Sequence, residues 1–141
     1  MLKVLLVRHA DIDLPRLVDD PPLNAAGRAR AQALAHVTGM AGIGAIFTST
    51  LARTKQTVAP LAARLNLRPQ VASDGLIGNL LSGPDGAVVL IAGHSDTVPE
   101  MIAALSVPPP LPIIGQGHFD NLFVVTALAA TSQAAMVNLK Y

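Results

Sequence analysis

Four basic side chains of this sequence occupy places where an anion could bind. Arg8 and His9 follow the apolar run Val4 to Val7, His94 follows a second apolar run, and Arg53 lies a few residues after a third. The forked guanidinium of arginine matches the geometry of a phosphate group, and two arginines with two histidines supply more donors than a carboxylate ligand needs. If these side chains meet in the folded chain, phosphate binding is the chemistry that they favour.

The apolar pattern predicts the elements that would bring these side chains together. Short apolar runs alternate with longer stretches of helical spacing, which is typical of βα units on a mainly parallel sheet. We therefore predict a three-layer α/β/α sandwich with a mainly parallel central sheet and a C-terminal antiparallel hairpin, in a single domain over residues 1–141. Strands are expected at 4–7, 45–47, near 71, and at 87–92, 121–127 and 134–139, and helices at 24–38, 49–65, 76–81 and 95–105.

The strand ends give the basic residues a shared location. In an open α/β sheet, ligands bind outside the carboxyl ends of the strands. Helices capped by Ser49 and Ser95 would also point backbone N–H groups and a positive dipole end at that edge. A single histidine at a strand end is more often structural than functional, but basic groups at three separate junctions favour one phosphate site.

Composition limits the function classes. The formal net charge is +1 and neither sign of charge forms a run, so the sequence does not predict binding to nucleic acid or to an anionic membrane. Without cysteine there can be no disulfide, thiolate nucleophile or zinc–thiolate site. The apolar opening is too short for a signal peptide, and no apolar run approaches the ~20 residues of a membrane span. We expect a cytoplasmic protein that binds a small ligand.

Several segments resemble the histidine phosphatase superfamily, also called phosphoglycerate mutase-like, in the same order along nearly the whole chain. The family's Arg-His-Gly signature is represented by Arg8-His9-Ala10, and its helix start by PLNAAGRARAQAL at 22–34. Its Ser-x-x-x-Arg-Thr-x-Gln-Thr segment matches STLARTKQTVAPLA at 49–62, its second histidine lies in AGHSDTV at 92–98, and DNLFVV at 120–125 is similar to a late strand of smaller members.

The resemblance implies phosphoryl transfer through a histidine. His9 would attack phosphorus and carry a phosphohistidine intermediate, a role that suits an imidazole with an ordinary pKa of about 6.5. Arg8, Arg53 and His94 would hold the transferring oxygens, and Ser95 would help to bind the substrate. Water would then hydrolyse the intermediate, with no metal ion and no other cofactor.

The leaving group raises the question of a general acid. Members that cleave poor leaving groups supply a carboxylic acid, often a glutamate between the second arginine and the second histidine. Between Arg53 and His94 this chain has only Asp74 and Asp85. Asp85 lies in the turn SGPDGA before the amino end of a strand, whereas Asp74 follows the short strand near residue 71. We therefore predict Asp74 as the acid, with capping of the next helix as its alternative role.

Two functions from different classes remain open. One is a small phosphatase of the branch that resembles phosphohistidine phosphatases, acting on a phosphomonoester or on a phosphorylated protein side chain. The other is a degenerate module that binds phosphate without turnover. Asp11 and Asp13 are further candidates for substrate contact because they follow His9 closely, and His118 is expected in a solvated loop.

Overall fold

The computed structural model describes residues 1–141, and its strands form one mixed sheet. The sheet has six strands in the order β3-β2-β4-β1-β5-β6. The strands are β1 (Leu2–Arg8), β2 (Ala45–Thr48), β3 (Gln70–Val71), β4 (Val88–Gly93), β5 (Asn121–Leu128) and β6 (Gln133–Lys140). The helices are α1 (Ala25–Thr38), α2 (Ala52–Leu65), α3 (Leu76–Leu81) and α4 (Thr97–Ala104), and a short 3₁₀ turn at Ala129–Thr131 joins β5 to β6.

The strand pairing confirms the predicted sheet. Strands β3, β2, β4 and β1 are parallel, whereas β5 pairs antiparallel with both β1 and β6. Strand β1 lies directly beside β4, with Arg8 opposite Gly93 in the register. The strand that ends before His9 and the strand that ends before His94 are therefore neighbours, and their carboxyl ends meet at one edge.

Helices cover both faces of the sheet, as a three-layer sandwich requires. Along β1, Leu5 and Val7 pack with side chains of α1 and α2, whereas Val4 and Leu6 pack on the opposite face with side chains of α3 and α4. This alternation follows from the two-residue period of a strand. Full burial of each large aliphatic side chain contributes about 1.5–3 kcal/mol, so the central strands are held firmly from both sides. None of the helices combines the length and apolar character needed to cross a membrane.

The start of α1 agrees with the sequence prediction. Asn24 precedes the first helical residue, and its side-chain oxygen accepts a hydrogen bond from the Gly27 N–H at 2.9 Å. The Asn24 N–H also donates to the Asp11 carbonyl at 3.0 Å. The first turn of α1 is therefore attached to the segment that directly follows His9.

The predicted caps of the other two long helices were wrong. Helix α2 begins at Ala52, and its first N–H donates to Oδ1 of Asp20 at 2.9 Å rather than to Ser49. Helix α4 begins at Thr97, where the cap is Asp96 and not Ser95. A cap supplied by a residue distant in sequence, such as Asp20, leaves no local signature, and this is why the pattern around Ser49 was misleading.

We expect Gly27→Ala to weaken the fold where α1 meets the loop after β1. A Cβ at Gly27 would lie 2.1 Å from the Asp11 carbonyl oxygen, which is backbone and cannot move aside cheaply. Overpacking of this kind lowers the free energy of unfolding by about 1–3 kcal/mol, which urea denaturation would measure. The matched control is Gly78→Ala in α3, where a Cβ meets nothing within 4 Å. That substitution should be neutral or stabilising, because alanine favours helix by up to ~1 kcal/mol over glycine. Equal effects of the two substitutions would contradict the packing argument.

Candidate active site

A cavity of about 580 Å³ lies at the carboxyl edge of the sheet. It brings together the five residues that the sequence predicted for phosphate binding and catalysis at this edge: Arg8, His9, Arg53, His94 and Ser95. The remaining lining residues, which sequence analysis did not place here, are Ile12, Leu14, Arg16, Leu51, Asp96, Thr97 and Gln116. The presence of Asp96 at the cavity could have been predicted from the sequence, because it lies two residues after His94 at a helix start. No sequence feature pointed to Arg16.

The backbone and ring of His9 are both fixed by hydrogen bonds. The His9 N–H donates to the Gly93 carbonyl at 2.8 Å, which extends the β1–β4 ladder by one residue. Ring Nδ1 lies 2.8 Å from the Ala10 carbonyl oxygen. Because a carbonyl oxygen only accepts, Nδ1 must carry the proton in this contact. The neutral ring therefore keeps the lone pair on Nε2, which is the form that a nucleophile needs.

Burial and neighbouring positive charges keep His9 neutral. Burial is the largest cause and, with smaller contributions from Arg8, His94 and Arg53, it lowers the pKa of His9 to about 4, although the hydrogen bond to Ala10 acts in the opposite direction. The His9 and His94 rings lie 5.4 Å apart between centroids. At neutral pH the His9 imidazole is therefore uncharged before any anion enters.

This pKa predicts how stability depends on pH. Between pH 6.5 and about 4, His9 takes up a proton in the unfolded chain but not in the folded one, so the free energy of unfolding should fall as pH falls through that window. A shift of this size corresponds to about 3 kcal/mol in all. Urea denaturation from pH 7.5 to 4 should show a smaller loss in His9→Gln than in the wild type. His36→Gln, which alters an exposed residue of α1, is the control and should keep the full loss. An unchanged loss in His9→Gln would contradict the low pKa.

Arg8 is held by a loop from the other end of the chain. Its Nη1 donates to the carbonyl oxygens of Gly115, Gln116 and His118 at 3.0, 2.7 and 3.0 Å. The guanidinium carbon lies 4.3 Å from the ring centroid of Phe119, within the range of a cation–π contact. The carbonyls fix one end of the guanidinium, and its buried Nε has no partner. His118 itself is exposed, as predicted; its carbonyl accepts from Arg8, and its ring Nδ1 accepts from the Gly115 N–H of the same loop at 3.2 Å.

Arg53 and His94 are positioned from two further elements. Arg53 Nη1 donates to the Asp19 carbonyl at 3.4 Å and lies 3.8 Å from the Asp20 carboxylate, while its buried Nε has no partner. Nε2 of His94 lies 2.9 Å from Ser49 Oγ. Burial, followed by the charge of Arg53, lowers the pKa of His94. Ser49, expected to cap a helix, instead orients the second histidine.

Asp74 does not line this cavity, contrary to its predicted role as the acid. It lies with Ile77 and Glu100 in a separate cavity between α3 and α4. The reason is the strand order: β3, which precedes Asp74, is the outer strand of the sheet, with β2 and β4 between it and β1. Asp11 and Asp13, the further candidates for substrate contact, do not line the cavity either, since Asp11 pairs with Arg30 and Asp13 accepts a hydrogen bond from Asn24. No group of three or more histidine, aspartate or glutamate side chains is arranged to hold a metal ion.

The arrangement of two arginines and two histidines at one sheet edge agrees with a family match. The model for the histidine phosphatase superfamily, branch 1, matches residues 4–80, which include Arg8, His9 and Arg53. The chain belongs to this superfamily. A search of curated proteins found no match.

Several solved structures share the fold of this chain. The protein histidine phosphatase SixA complexed with tungstate has 21% identity and a TM-score of 0.76, with 98% of this chain and 96% of that chain covered. A mycobacterial glucosyl-3-phosphoglycerate phosphatase in complex with inorganic phosphate has 17% identity and a TM-score of 0.73, with coverages of 96% and 95%. YhfR from Bacillus stearothermophilus has 17% identity and a TM-score of 0.66, with coverages of 89% and 91%.

Proposed function

We propose that this histidine phosphatase superfamily member is a phosphatase that transfers a phosphoryl group from its substrate to water through a phosphohistidine on His9. The observation that carries the proposal is the state of the His9 ring. Nδ1 donates to the Ala10 carbonyl, the pKa of His9 is lowered to about 4, and the free lone pair is on Nε2 in a cavity whose lining includes Arg8 and Arg53. This combination supplies a neutral nucleophile next to cations that attract phosphate.

The first chemical step forms one bond and breaks one. The lone pair of His9 Nε2 attacks phosphorus, and the bond from phosphorus to the leaving oxygen breaks with its electron pair on that oxygen. Arg8 and Arg53 donate to the phosphoryl oxygens as charge spreads over them, which is the main contribution that a protein makes to phosphoryl transfer. Each of these arginines contacts the protein through Nη1 alone, so Nη2 has no protein partner and is free to donate to a ligand.

His94 supplies a further donor through a chain of side chains. Thr54, Ser49 and His94 are linked by contacts of 2.8 Å between the hydroxyl oxygens and 2.9 Å from Ser49 Oγ to Nε2. When the Ser49 hydroxyl donates to Nε2, Nδ1 of the neutral ring carries the proton and can donate to a phosphoryl oxygen. In the second step water attacks phosphorus and releases one proton to solvent, the bond from phosphorus to His9 breaks, and its electron pair returns to Nε2.

The substrate is a phosphomonoester or a phosphorylated protein side chain. The mycobacterial phosphatase in complex with inorganic phosphate and SixA in complex with tungstate have the same fold, and they support binding of a phosphate-like oxyanion by this chain. The test is release of phosphate from an activated aryl phosphate by the purified protein. If phosphate binds but none is released, the chain is a phosphate-binding module without turnover.

We assign protonation of the leaving oxygen to Asp96 in place of Asp74, because Asp96 is the carboxyl group that lines the cavity. Asp96→Asn should lower kcat/KM for alkyl phosphates by about 100-fold, the lower end of general acid catalysis. Aryl phosphates with acidic leaving groups need no proton and should be affected far less. Asp74→Asn is the matched control and should alter neither class. Equal losses on both classes in Asp96→Asn would remove Asp96 from this role and leave the enzyme restricted to good leaving groups.

A further inference from the structure

Arg16 is a cation of the cavity that the phosphatase mechanism does not use. It lies in the loop between β1 and α1, is exposed, and lines the same cavity as His9 and Arg53. Its guanidinium makes no hydrogen bond or ion pair within the chain. Arg30 differs, because its Nε pairs with Asp11 at 2.5 Å. Arg16 is therefore an arginine of the cavity without a carboxylate partner.

The loop that carries Arg16 is attached to α2 near the cavity. The Ala52 N–H donates to Oδ1 of Asp20 at 2.9 Å, and the Leu23 N–H donates to Oε1 of Gln56 at 2.8 Å. Arg53 adds a third contact by donating to the Asp19 carbonyl. These bonds hold the second half of the loop against α2, and the first half follows His9 directly, so the backbone that carries Arg16 is anchored on both sides next to the cavity.

The charge of Arg16 is not balanced by neighbouring acids. Burial is the first cause that lowers the pKa of Arg53, and the charge of Arg16 is the second. Asp20 already accepts from the Ala52 N–H and lies 3.8 Å from Arg53, and Asp96 accepts from the Thr97 N–H. With three arginines and one aspartate among the residues that line it, the cavity has an excess of positive charge.

We propose that the substrate carries a second anionic group beside the phosphoryl group, and that Arg16 binds it. A phosphoryl dianion is matched by Arg8 and Arg53, which leaves the third arginine for another anion. A volume of about 580 Å³ has room for more than a phosphoryl group, and Ile12, Leu14 and Leu51 offer apolar contact to the remainder of the substrate. This inference rests on the proposed phosphatase function, and it names the substrate class of the same site.

The test compares two aryl phosphates of nearly equal size. In 3-carboxyphenyl phosphate the ring carries a second anion, and in 3-carbamoylphenyl phosphate it carries a neutral amide. When Arg16 is replaced by glutamine, we expect kcat/KM for the carboxyl compound, divided by kcat/KM for the amide compound, to fall about 10-fold. Comparison of this ratio between the variant and the wild type cancels the intrinsic reactivity of each compound. Arg16→Gln should also slow the amide somewhat, since it reduces the positive field of the cavity. Arg68→Gln removes an exposed arginine that does not line the cavity, and it should leave the ratio unchanged.

Binding separates failure of this inference from failure of the proposed function. Calorimetry with the two compounds should show the same preference in His9→Ala protein, and Arg16→Gln should remove it there as well. Turnover of both compounds with a ratio that Arg16→Gln does not change would overturn the inference while leaving a phosphatase. If neither compound is turned over, a binding preference that depends on Arg16 would still support the second anion site, and equal binding would overturn it.

Discussion

Replacement of His9 by alanine is expected to lower kcat by at least about four orders of magnitude, because loss of a nucleophile removes the whole covalent route. The residual reaction would depend on the remaining donors alone. Steady-state hydrolysis of 4-nitrophenyl phosphate measures the loss, with circular dichroism as the check that the variant is folded. Near wild-type activity in this variant would end the proposed mechanism.

The same variant provides a chemical test of the intermediate. A ³²P-labelled substrate should leave a label on the wild-type protein that is stable to base and labile to acid, as expected of a phosphoramidate, and His9→Ala should carry none. His94→Ala is the matched comparison, because it removes the other imidazole of the cavity and leaves Nε2 of His9 in place. It should still become labelled, at a lower rate. A label that survives in His9→Ala but disappears in His94→Ala would exchange the roles of the two histidines.

Arg8→Lys is expected to reduce kcat/KM by about 10³-fold, the loss that follows removal of a donor aimed at developing negative charge. The guanidinium of Arg8 bonds the carbonyls of 115, 116 and 118 through Nη1 and leaves Nη2 without a protein partner for a ligand. A lysine ammonium is a single point of charge and cannot occupy both positions.

Arg64→Lys is the control for this substitution. Arg64 also donates through Nη1 to a backbone carbonyl, that of Ala35 at 3.1 Å, but it does not line the cavity. Its replacement should leave kcat/KM within about twofold of the wild type, since surface changes of this kind are small. If both variants lost activity to the same extent, the effect of Arg8→Lys would reflect general packing rather than contact with the phosphoryl group.

The features that the sequence predicted well are those with a local cause. Asn24 begins α1 because its own side chain bonds an N–H three residues ahead. The strands before His9 and His94 follow from short apolar runs, and the general rule for parallel sheets then places both histidines at one edge. Their roles in catalysis stay predictions, but the meeting of the side chains required only the order of strands and helices along the chain.

The features that the sequence did not predict depend on contacts between distant segments. The carbonyls that hold Arg8 lie more than a hundred residues away, and a carbonyl has no residue type by which to recognise it. Asp20 caps α2 from across a loop, and Arg16 reaches the cavity only because of that loop's course. Asp74 is predicted at the cavity because it follows the carboxyl end of a strand, but the order of strands in the sheet sets that strand, β3, apart from β1.

The bond from the His9 N–H to the Gly93 carbonyl joins the backbone of the first histidine to the residue directly before the second, at the end of the β1–β4 ladder. When the sheet bends or twists, the His9 and His94 rings move together. Motions of the surrounding loops should therefore change the distance between the two rings little. Arg16, by contrast, is carried by a loop outside the ladder. Loop grafting between relatives could therefore exchange specificity while the reacting groups keep their geometry, which makes residues 13–18 a practical target for engineering.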